Sequence, residues 1–174
     1  EGIYTNFSGE PGNVAHNEKN KYLFEKPDPD FVIGMNANLS YSGWNLGISG
    51  RLVTGNYLYN NIASMAYYQA MDGSVIYYLR NLPVSVQESG FVTPQYFSDY
   101  YIENASFFRL DNIHFGYTFT GLSKLNANAE VFVSVQNALV VTNYTGQDPE
   151  VSGGIDNFQY PRPRIWTLGF NFNF

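Results

Sequence analysis

Few side chains in this sequence have the types and spacing that catalysis needs. Histidine occurs only at His16 and His114, and cysteine is absent. A catalytic triad would place one imidazole beside a serine and a carboxylate, and no nucleophile-elbow motif accompanies either histidine. His114 lies in an alternating segment, where a solvated or hydrogen-bonded imidazole is the simpler interpretation. Without cysteine, disulfides and thiolate sites are excluded.

Two pairs of carboxylates lie beside prolines. Asp28 and Asp30 alternate with prolines, and Asp148 and Glu150 flank Pro149. A glycosidase needs two carboxylates on either side of a sugar, and calcium accepts carboxylate ligands. Proline-flanked acids are also typical of extended loops and turns. We therefore predict no enzyme, no metal site and no cofactor.

Aromatic residues are the other candidates for binding. Tyrosines crowd the stretches AYYQ (66–69) and VIYYLRN (75–81). Flat rings with a hydroxyl can stack on a sugar or an extended peptide and remain wettable. They can equally pack within a loop or against another protein, so both interpretations stay open.

The composition limits the classes of function. Charged residues make up 14% of the chain, whereas soluble domains carry about 25%. The net charge is −6 and no basic stripe exists, so nucleic acid is an unsuitable partner. No run of about 18 apolar residues predicts a transmembrane helix.

The elements that must hold these residues are β-strands. The final stretch, IWTLGFNFNF, has large apolar side chains at every second position and small or amide residues between them. A soluble sheet would pack the apolar face on a core. A transmembrane barrel would turn it to lipid and the amide face to a polar lumen. The apolar positions are Trp166, Leu168, Phe170, Phe172 and Phe174.

The same period of two predicts further strands. Leu110 is out of phase with Ile113, which predicts a β-bulge near Asp111. We expect Trp44, Leu46, Ile48, Val131, Val133, Phe170 and Phe172 to face lipid. The predicted strands are residues 31–40, 44–53, 107–119, 129–141 and 163–174.

The connections alternate in length, as in outer-membrane barrels with short periplasmic turns and long outside loops. We predict periplasmic turns at 41–43 and 120–128, and extracellular loops at 1–30, 54–106 and 142–162. Tyr41, Trp44, Phe119 and Phe174 would then lie at one level, in an inner aromatic belt. The two later loops leave neighbouring strands, so their tips should meet over the barrel mouth. Five strands are too few to close a barrel, which takes about eight.

Three separated runs resemble a known family. They are ASFFRLDNIHFGYTF (105–119), VFVSVQNALVVTNYTGQDPEVSG (131–153) and YPRPRIWTLGFNFNF (160–174). Together they are similar to the C-terminal part of SusC/RagA-type TonB-dependent outer-membrane transporters. ANLSYSGWNLGISGRLVTGNYLYN (37–60) fits the preceding hairpin of that family.

The resemblance implies an all-β fold, namely the last five strands of a 22-stranded antiparallel transmembrane barrel in the bacterial outer membrane. It implies active import of glycans or peptides, with a SusD-like lipoprotein lid. The rest of the barrel, the plug and the segment that contacts TonB would lie outside this chain. The alternating aromatic ending resembles the signal read by the outer-membrane insertion machinery.

Within that framework the loop aromatics divide into two groups. Those nearest the strands are expected to bind cargo, and those in mid-loop are expected to contact the lid. The cargo group is Tyr100, Tyr101, Phe158 and Tyr160, and the lid group is Tyr67, Tyr68, Tyr77 and Tyr78. The alternatives are a non-transporting surface protein, such as an adhesin or structural barrel, and a soluble β-sandwich lectin.

Overall fold

The computed structural model describes residues 21–66, 84–122 and 127–173. The chain divides into two compact units, each described by itself. The sheet unit comprises Pro29–Asn56, Ala105–Tyr144 and Tyr160–Phe174. The loop unit comprises Glu1–Asp28, Tyr57–Asn104 and Thr145–Gln159. None of the helices in the described ranges is long and apolar enough to cross a membrane.

The described elements are mainly strands, with short helices between them. In chain order they are β1 (Phe31–Tyr41), β2 (Trp44–Thr54), β3 (Tyr57–Asn60), α1 (Asn61–Ser64), α2 (Ser85–Ser89), a 3₁₀ helix (Asp99–Tyr101), β4 (Ile102–Asn104), β5 (Phe107–Leu122), β6 (Ala127–Thr142), β7 (Ile155–Asp156) and β8 (Ile165–Asn173).

Five long strands form the sheet unit, in the order β1-β2-β5-β6-β8 with antiparallel pairing throughout. These are the five strands that the alternating pattern predicts, so that prediction is confirmed. The connection between β5 and β6 is shorter than 120–128, because the strands continue to Leu122 and resume at Ala127. The segments 54–106 and 142–162 are not plain loops, since they contain β3, β4, β7 and the short helices.

One face of the sheet is apolar from strand to strand. Leu39 lies opposite Leu46, Leu46 opposite Phe115, Phe115 opposite Val133, and Val133 opposite Leu168. The neighbouring rows have the same character, and most of their large side chains are exposed in this chain. The register of the strands places all the residues that were predicted to face lipid on this apolar face.

The opposite face carries amides, hydroxyls and a few charges. One row runs from Asn38 through Gly47, His114 and Ser134 to Thr167. The alternation is therefore maintained across all five strands, and the sheet separates an apolar surface from a polar one.

The turn between β1 and β2 lies where it was predicted but is one residue shorter than 41–43, because Tyr41 belongs to β1. Tyr41 pairs with Trp44, which leaves Ser42 and Gly43 as a two-residue loop. Both have positive φ, 47° and 89°. Two positive φ values are the signature of a type I′ turn, whose twist matches that of the strands it joins.

The predicted bulge near Asp111 is present. Gly50 pairs with Leu110 and Ser49 with Asn112, so Asp111 is the extra residue on β5. Without it, Leu110 and Phe108 would fall on the polar face and Arg109 on the apolar one. Arg109 instead lies buried on the polar side, 2% exposed, with its guanidinium over the Phe107 ring at 5.4 Å.

A second irregularity lies beside it on β6. The register skips from Gln136 to Leu139, and Asn137 has a φ of 52°. Asn137 Oδ1 accepts a hydrogen bond from Arg109 Nη1 at 2.7 Å, and its Nδ2 donates to the Arg162 carbonyl at 2.8 Å. One amide therefore connects β5, β6 and the segment that enters β8.

The prediction of a single aromatic level needs correction. Trp44 lies in the row of Tyr41 and Tyr117, whereas Phe119 lies one row further along, opposite Ala129 and level with Phe172. The sequence analysis placed Phe119 at the level of Trp44 because the stagger of β5 against β2 cannot be determined from the sequence. Phe174 lies outside the described residues.

On the polar face, one aromatic side chain covers glycines on both neighbouring strands. Phe132 lies between Gly116 and Gly169 in the register, with its ring 5.0 Å from that of His114. A Cβ built on Gly169 would overlap the Phe132 ring, with Cε2 at 2.9 Å. Because Gly169 on β8 has no side chain, there is room for the Phe132 ring.

We predict that Gly169→Ala destabilises the folded protein by about 1–3 kcal/mol, because the ring must move or the strands must separate. Gly34→Ala is the matched control, since a Cβ on Gly34 meets no atom within 4 Å. Urea unfolding of the protein in detergent measures the effect. Adding Phe132→Ala should reduce the cost of Gly169→Ala; strictly additive effects would show that the two residues do not compete for space.

We also predict opposite outcomes for arginine at two adjacent positions on β6. Val133→Arg should cost about 2–4 kcal/mol, because it places a charge on the face assigned to lipid. Ser134→Arg should be tolerated on the polar face. The amount of folded protein in the membrane fraction is the measurement, and equal losses at both positions would contradict the assignment of the two faces.

Candidate binding surface of the loop unit

The two long loops meet in the loop unit. β3 and β4 come from the first loop, β7 comes from the second, and they form one three-stranded sheet in the order β4-β3-β7. β3 pairs with β7 in parallel, with Tyr59 opposite Ile155. The Tyr59 N–H also donates to the Gly154 carbonyl at 2.9 Å. The two loops therefore contact each other through β3 and β7, whereas a meeting of their tips over a barrel mouth stays a prediction.

A carboxylate fixes that junction. Glu103 accepts the Thr145 N–H at 2.8 Å, the Thr145 hydroxyl at 2.7 Å and the Asn60 amide at 2.9 Å. Asn60 is buried, and its Oδ1 caps α1 by accepting the Ala63 N–H at 3.0 Å. Hydrogen bonds to an ionised acceptor are stronger than neutral ones. Glu103 and Asn60 therefore hold both loops and the start of α1 together.

A second contact joins the residues that directly follow β3 and β7. Asn61 Nδ2 donates to Asn157 Oδ1 at 2.6 Å, and the buried Ser64 hydroxyl donates to the Asn61 carbonyl. The pairing of β3 with β7 is thus continued by side chains beyond the strands.

Aromatic rings cluster around Tyr59. Its ring lies 6.3 Å from those of Phe97 and Tyr101, and Tyr101 lies 5.1 Å from Tyr100. Phe91 packs edge-on against Tyr100 at 5.1 Å. These separations are in the range of favourable aromatic pairs, so the cluster is preformed.

The structure separates the four residues predicted to bind cargo. Tyr100 and Phe158 are 57% and 70% exposed in the loop unit, and Tyr160 is 88% exposed but belongs to the sheet unit. Tyr101 is only 5% exposed, so its ring is not available to a ligand. The sequence could not distinguish the two adjacent tyrosines, because the 3₁₀ helix that turns one ring inward is not visible in the pattern. The predicted lid residues Tyr67, Tyr68, Tyr77 and Tyr78 lie outside the described ranges.

Phe97 is a surface residue that the sequence analysis missed. Its side chain is 78% exposed and its backbone has a φ of 58°. Bulky residues rarely adopt positive φ, and such strain concentrates at functional sites. The only signal in the sequence is the aromatic density of FVTPQYFSDYY (91–101), which does not single out Phe97.

The two segments of the loop unit that carry these rings are acidic, whereas Lys21 and Lys26 of the same unit lie in the segment that precedes β1. The segments 84–104 and 145–159 contain no lysine, arginine or histidine. Asp99 accepts the Tyr22 hydroxyl at 2.7 Å, and this hydrogen bond, with burial and the carboxylate charge, raises the pKa of Tyr22. The carboxylates in these segments are Glu88, Asp99, Glu103, Asp148, Glu150 and Asp156.

Among the described residues considered for chemistry, no catalytic arrangement forms, and His16 lies outside the described ranges. His114 Nε2 lies 3.7 Å from Glu130 Oε1 on the polar face, and Glu130 also accepts the Asn171 amide at 3.0 Å. Asp148 Oδ1 accepts the Glu150 N–H at 2.9 Å, which shapes a turn. Within the described ranges, no group of three histidines or carboxylates is placed to hold a metal ion.

The polar face of the sheet offers one neutral recess of about 420 Å³. Gly47 forms part of its floor, and its polar walls are Asn36, Asn38, Ser49, Asn112 and His114. Amides and hydroxyls can donate and accept hydrogen bonds without imposing a charge. This surface suits a polar neutral neighbour.

Comparison with known proteins assigns this arrangement to a family. No family model matches the chain. The TonB-dependent receptor SusC of Bacteroides thetaiotaomicron is 33% identical over 171 residues, covering 94% of this chain and 17% of that protein. TonB-dependent receptor P3 of Formosa agariphila is 28% identical over 188 residues, covering 97% of this chain and 19% of that protein.

Solved structures agree with these relatives. The RagAB peptide importer in its open-open state has a TM-score of 0.72 at 19% identity, covering 99% of this chain and 20% of that chain. Its closed-closed state has a TM-score of 0.66 at 20% identity, covering 96% and 20%. The chain is part of a SusC/RagA-type receptor.

The family assignment confirms several expectations. At these identities the structural likeness shows the fold, so the sheet unit is a segment of an antiparallel β-barrel. SusC/RagA-type receptors are outer-membrane proteins and not enzymes, as predicted. The chain spans 17% to 19% of the length of the two curated relatives.

We predict that Glu103→Ala loosens the loop unit. Three hydrogen bonds disappear and the Thr145 N–H loses its acceptor, which should lower the local free energy of opening by about 1–3 kcal/mol. Hydrogen exchange of the Thr145 and Tyr59 amides in the full-length receptor measures this. Glu88→Ala is the control, because it removes the same charge from an exposed position on α2. Equal protection in the two variants would contradict a joining role for Glu103.

Proposed function

We propose that this chain forms part of the barrel wall of an outer-membrane active importer of glycans or peptides. The observation that carries the proposal is the separation of the five-stranded sheet into one continuous apolar face and one polar face. A strand that meets lipid on one side and a polar lumen on the other needs this division. The long connections would be extracellular and the short turns periplasmic.

The two outer strands of the sheet also support the proposal. Within the described residues, β1 pairs only with β2, and β8 pairs only with β6. Unpaired backbone groups are not tolerated in hydrocarbon, so both outer edges need further strands. We assign those strands to the rest of the barrel, in the same or a separate chain, with a total of 22. The plug would lie against the polar face.

The loop unit would take part in binding cargo and a lid. We assign Tyr100 and Phe158 to cargo because their rings are exposed, with Tyr101 supporting Tyr100 from within. The exposed Tyr160 of the sheet unit is assigned to cargo separately. Tyr67, Tyr68, Tyr77 and Tyr78 are proposed to contact a SusD-like lipoprotein. Energy coupling through TonB would use a part of the receptor outside this chain.

The outward rings of β8 are proposed to direct assembly. Trp166, Leu168, Phe170 and Phe172 alternate on the apolar face and are all exposed. With Phe174, this is the pattern expected of a client of the outer-membrane insertion machinery.

Import and passive surface binding predict different responses to loss of energy. Cells that carry the full-length receptor should stop accumulating labelled cargo when a protonophore collapses the inner-membrane potential, while surface binding continues. Tyr100→Ala and Tyr160→Ala should each lower uptake about threefold to tenfold at equal surface amounts, through loss of aromatic contact. The lipoprotein should still co-purify. If the amount of cell-associated cargo is the same with and without the protonophore, the protein is a non-transporting surface protein instead.

A further inference from the structure

Two exposed phenylalanines of the loop unit have a left-handed backbone. Phe97 and Phe158 have φ values of 58° and 52°. Among the described residues, the other non-glycine positions with positive φ are Ser42, in a tight turn, and Asn137, at a bulge. Those two have a local reason for their conformation. A large ring gains nothing locally from positive φ, so its outward position must be maintained by the surrounding structure.

The same short segment holds both phenylalanines. The Tyr59 hydroxyl accepts the Phe97 N–H at 3.0 Å, and the two rings stack with an interplanar angle of 19°. Two residues further on, Asn61 holds Asn157, the neighbour of Phe158, at 2.6 Å. Because β3 continues directly into α1, both anchor points belong to one continuous backbone segment. The Phe97 ring and the residue next to Phe158 are therefore held before any ligand arrives, which reduces the entropy cost of binding.

The chemistry of the rings favours one class of cargo. A phenyl ring has no hydroxyl, so it cannot hydrogen-bond a sugar as tyrosine can. Its face attracts apolar side chains and cations. The segments 84–104 and 145–159 that carry the rings supply carboxylates and no basic residue. A neutral oligosaccharide gains nothing from that negative field, whereas a cationic ligand is attracted by it.

We propose that Phe97 and Phe158 form a binding site for peptides that carry lysine or arginine next to apolar side chains. The apolar side chains would pack on the rings, and the cationic groups would lie over a ring face or beside Asp99, which is exposed. This assignment rests on the proposed import function and narrows its cargo from glycans or peptides to cationic peptides.

The test is a binding measurement on the full-length receptor, purified with its lipoprotein partner and kept in detergent. The probes are two fluorescent peptides of equal length and leucine content, one with lysines and the other with glutamates at the remaining positions, and a malto-oligosaccharide. The lysine peptide should bind at least about tenfold more tightly than the glutamate peptide. The difference should shrink as salt rises. Phe97→Ala and Phe158→Ala should each weaken the lysine peptide about fivefold to tenfold.

Two controls make the result specific. Val84→Ala truncates another exposed apolar side chain of the same unit and should leave binding unchanged. Phe97→Tyr keeps the ring and should retain binding, which separates loss of contact from loss of folding. Equal affinity for the two peptides, preference for the oligosaccharide, or unchanged binding in both alanine variants would overturn the proposal. Loss of the lipoprotein in those variants would also overturn it, by assigning the rings to the lid.

Failure of this proposal is distinguishable from failure of the import function. If protonophore-sensitive uptake of the oligosaccharide or the glutamate peptide persists, import stands and the cationic-peptide site falls. If the lysine peptide binds through both rings but no cargo accumulates in cells, the site stands and import falls.

Discussion

The two faces of the sheet meet environments of opposite polarity, and this requirement determines the register of every strand. Side chains alternate along a strand, so a slip of one residue would exchange the faces completely. Leu46, Phe115 and Val133 keep the same side because two successive pairings are in phase. Where the sequence changes phase, the backbone takes up the difference with an extra residue at Asp111. Arg109 shows the benefit, since its guanidinium reaches Asn137 on the polar side instead of facing lipid.

The sheet could be predicted from the sequence because alternation is a local signal that every strand repeats. The five strands, the position of the tight turn after β1 and the bulge at Asp111 all follow from the spacing of apolar residues. The stagger between neighbouring strands is harder to predict from the sequence. It depends on long-range pairing, which is why Phe119 was placed one row away from its position opposite Ala129.

The loop unit was largely inaccessible to the same reasoning. Its strands have two to four residues, too few to show a period. Its junction depends on polar contacts such as Glu103 with Thr145, which join residues far apart in the chain. Tyr101 and Phe97 both pack against Tyr59, about 40 positions away in the chain. The composition of the segment could therefore indicate an aromatic surface but not which rings are exposed.

The parallel pairing of β3 with β7 also orders events during folding. Asn61 and Asn157 are separated by 96 positions in the chain, whereas β1 and β2 are joined by a two-residue turn. The hairpin can close as soon as both of its strands exist, but the loop sheet must wait until β5, β6 and β7 have all been delivered to the same place. Closing so large a loop costs entropy that only the completed contacts recover. The small loop sheet is thus expected to form later than the β1–β2 hairpin, because its parallel pairing joins segments that are distant in the chain.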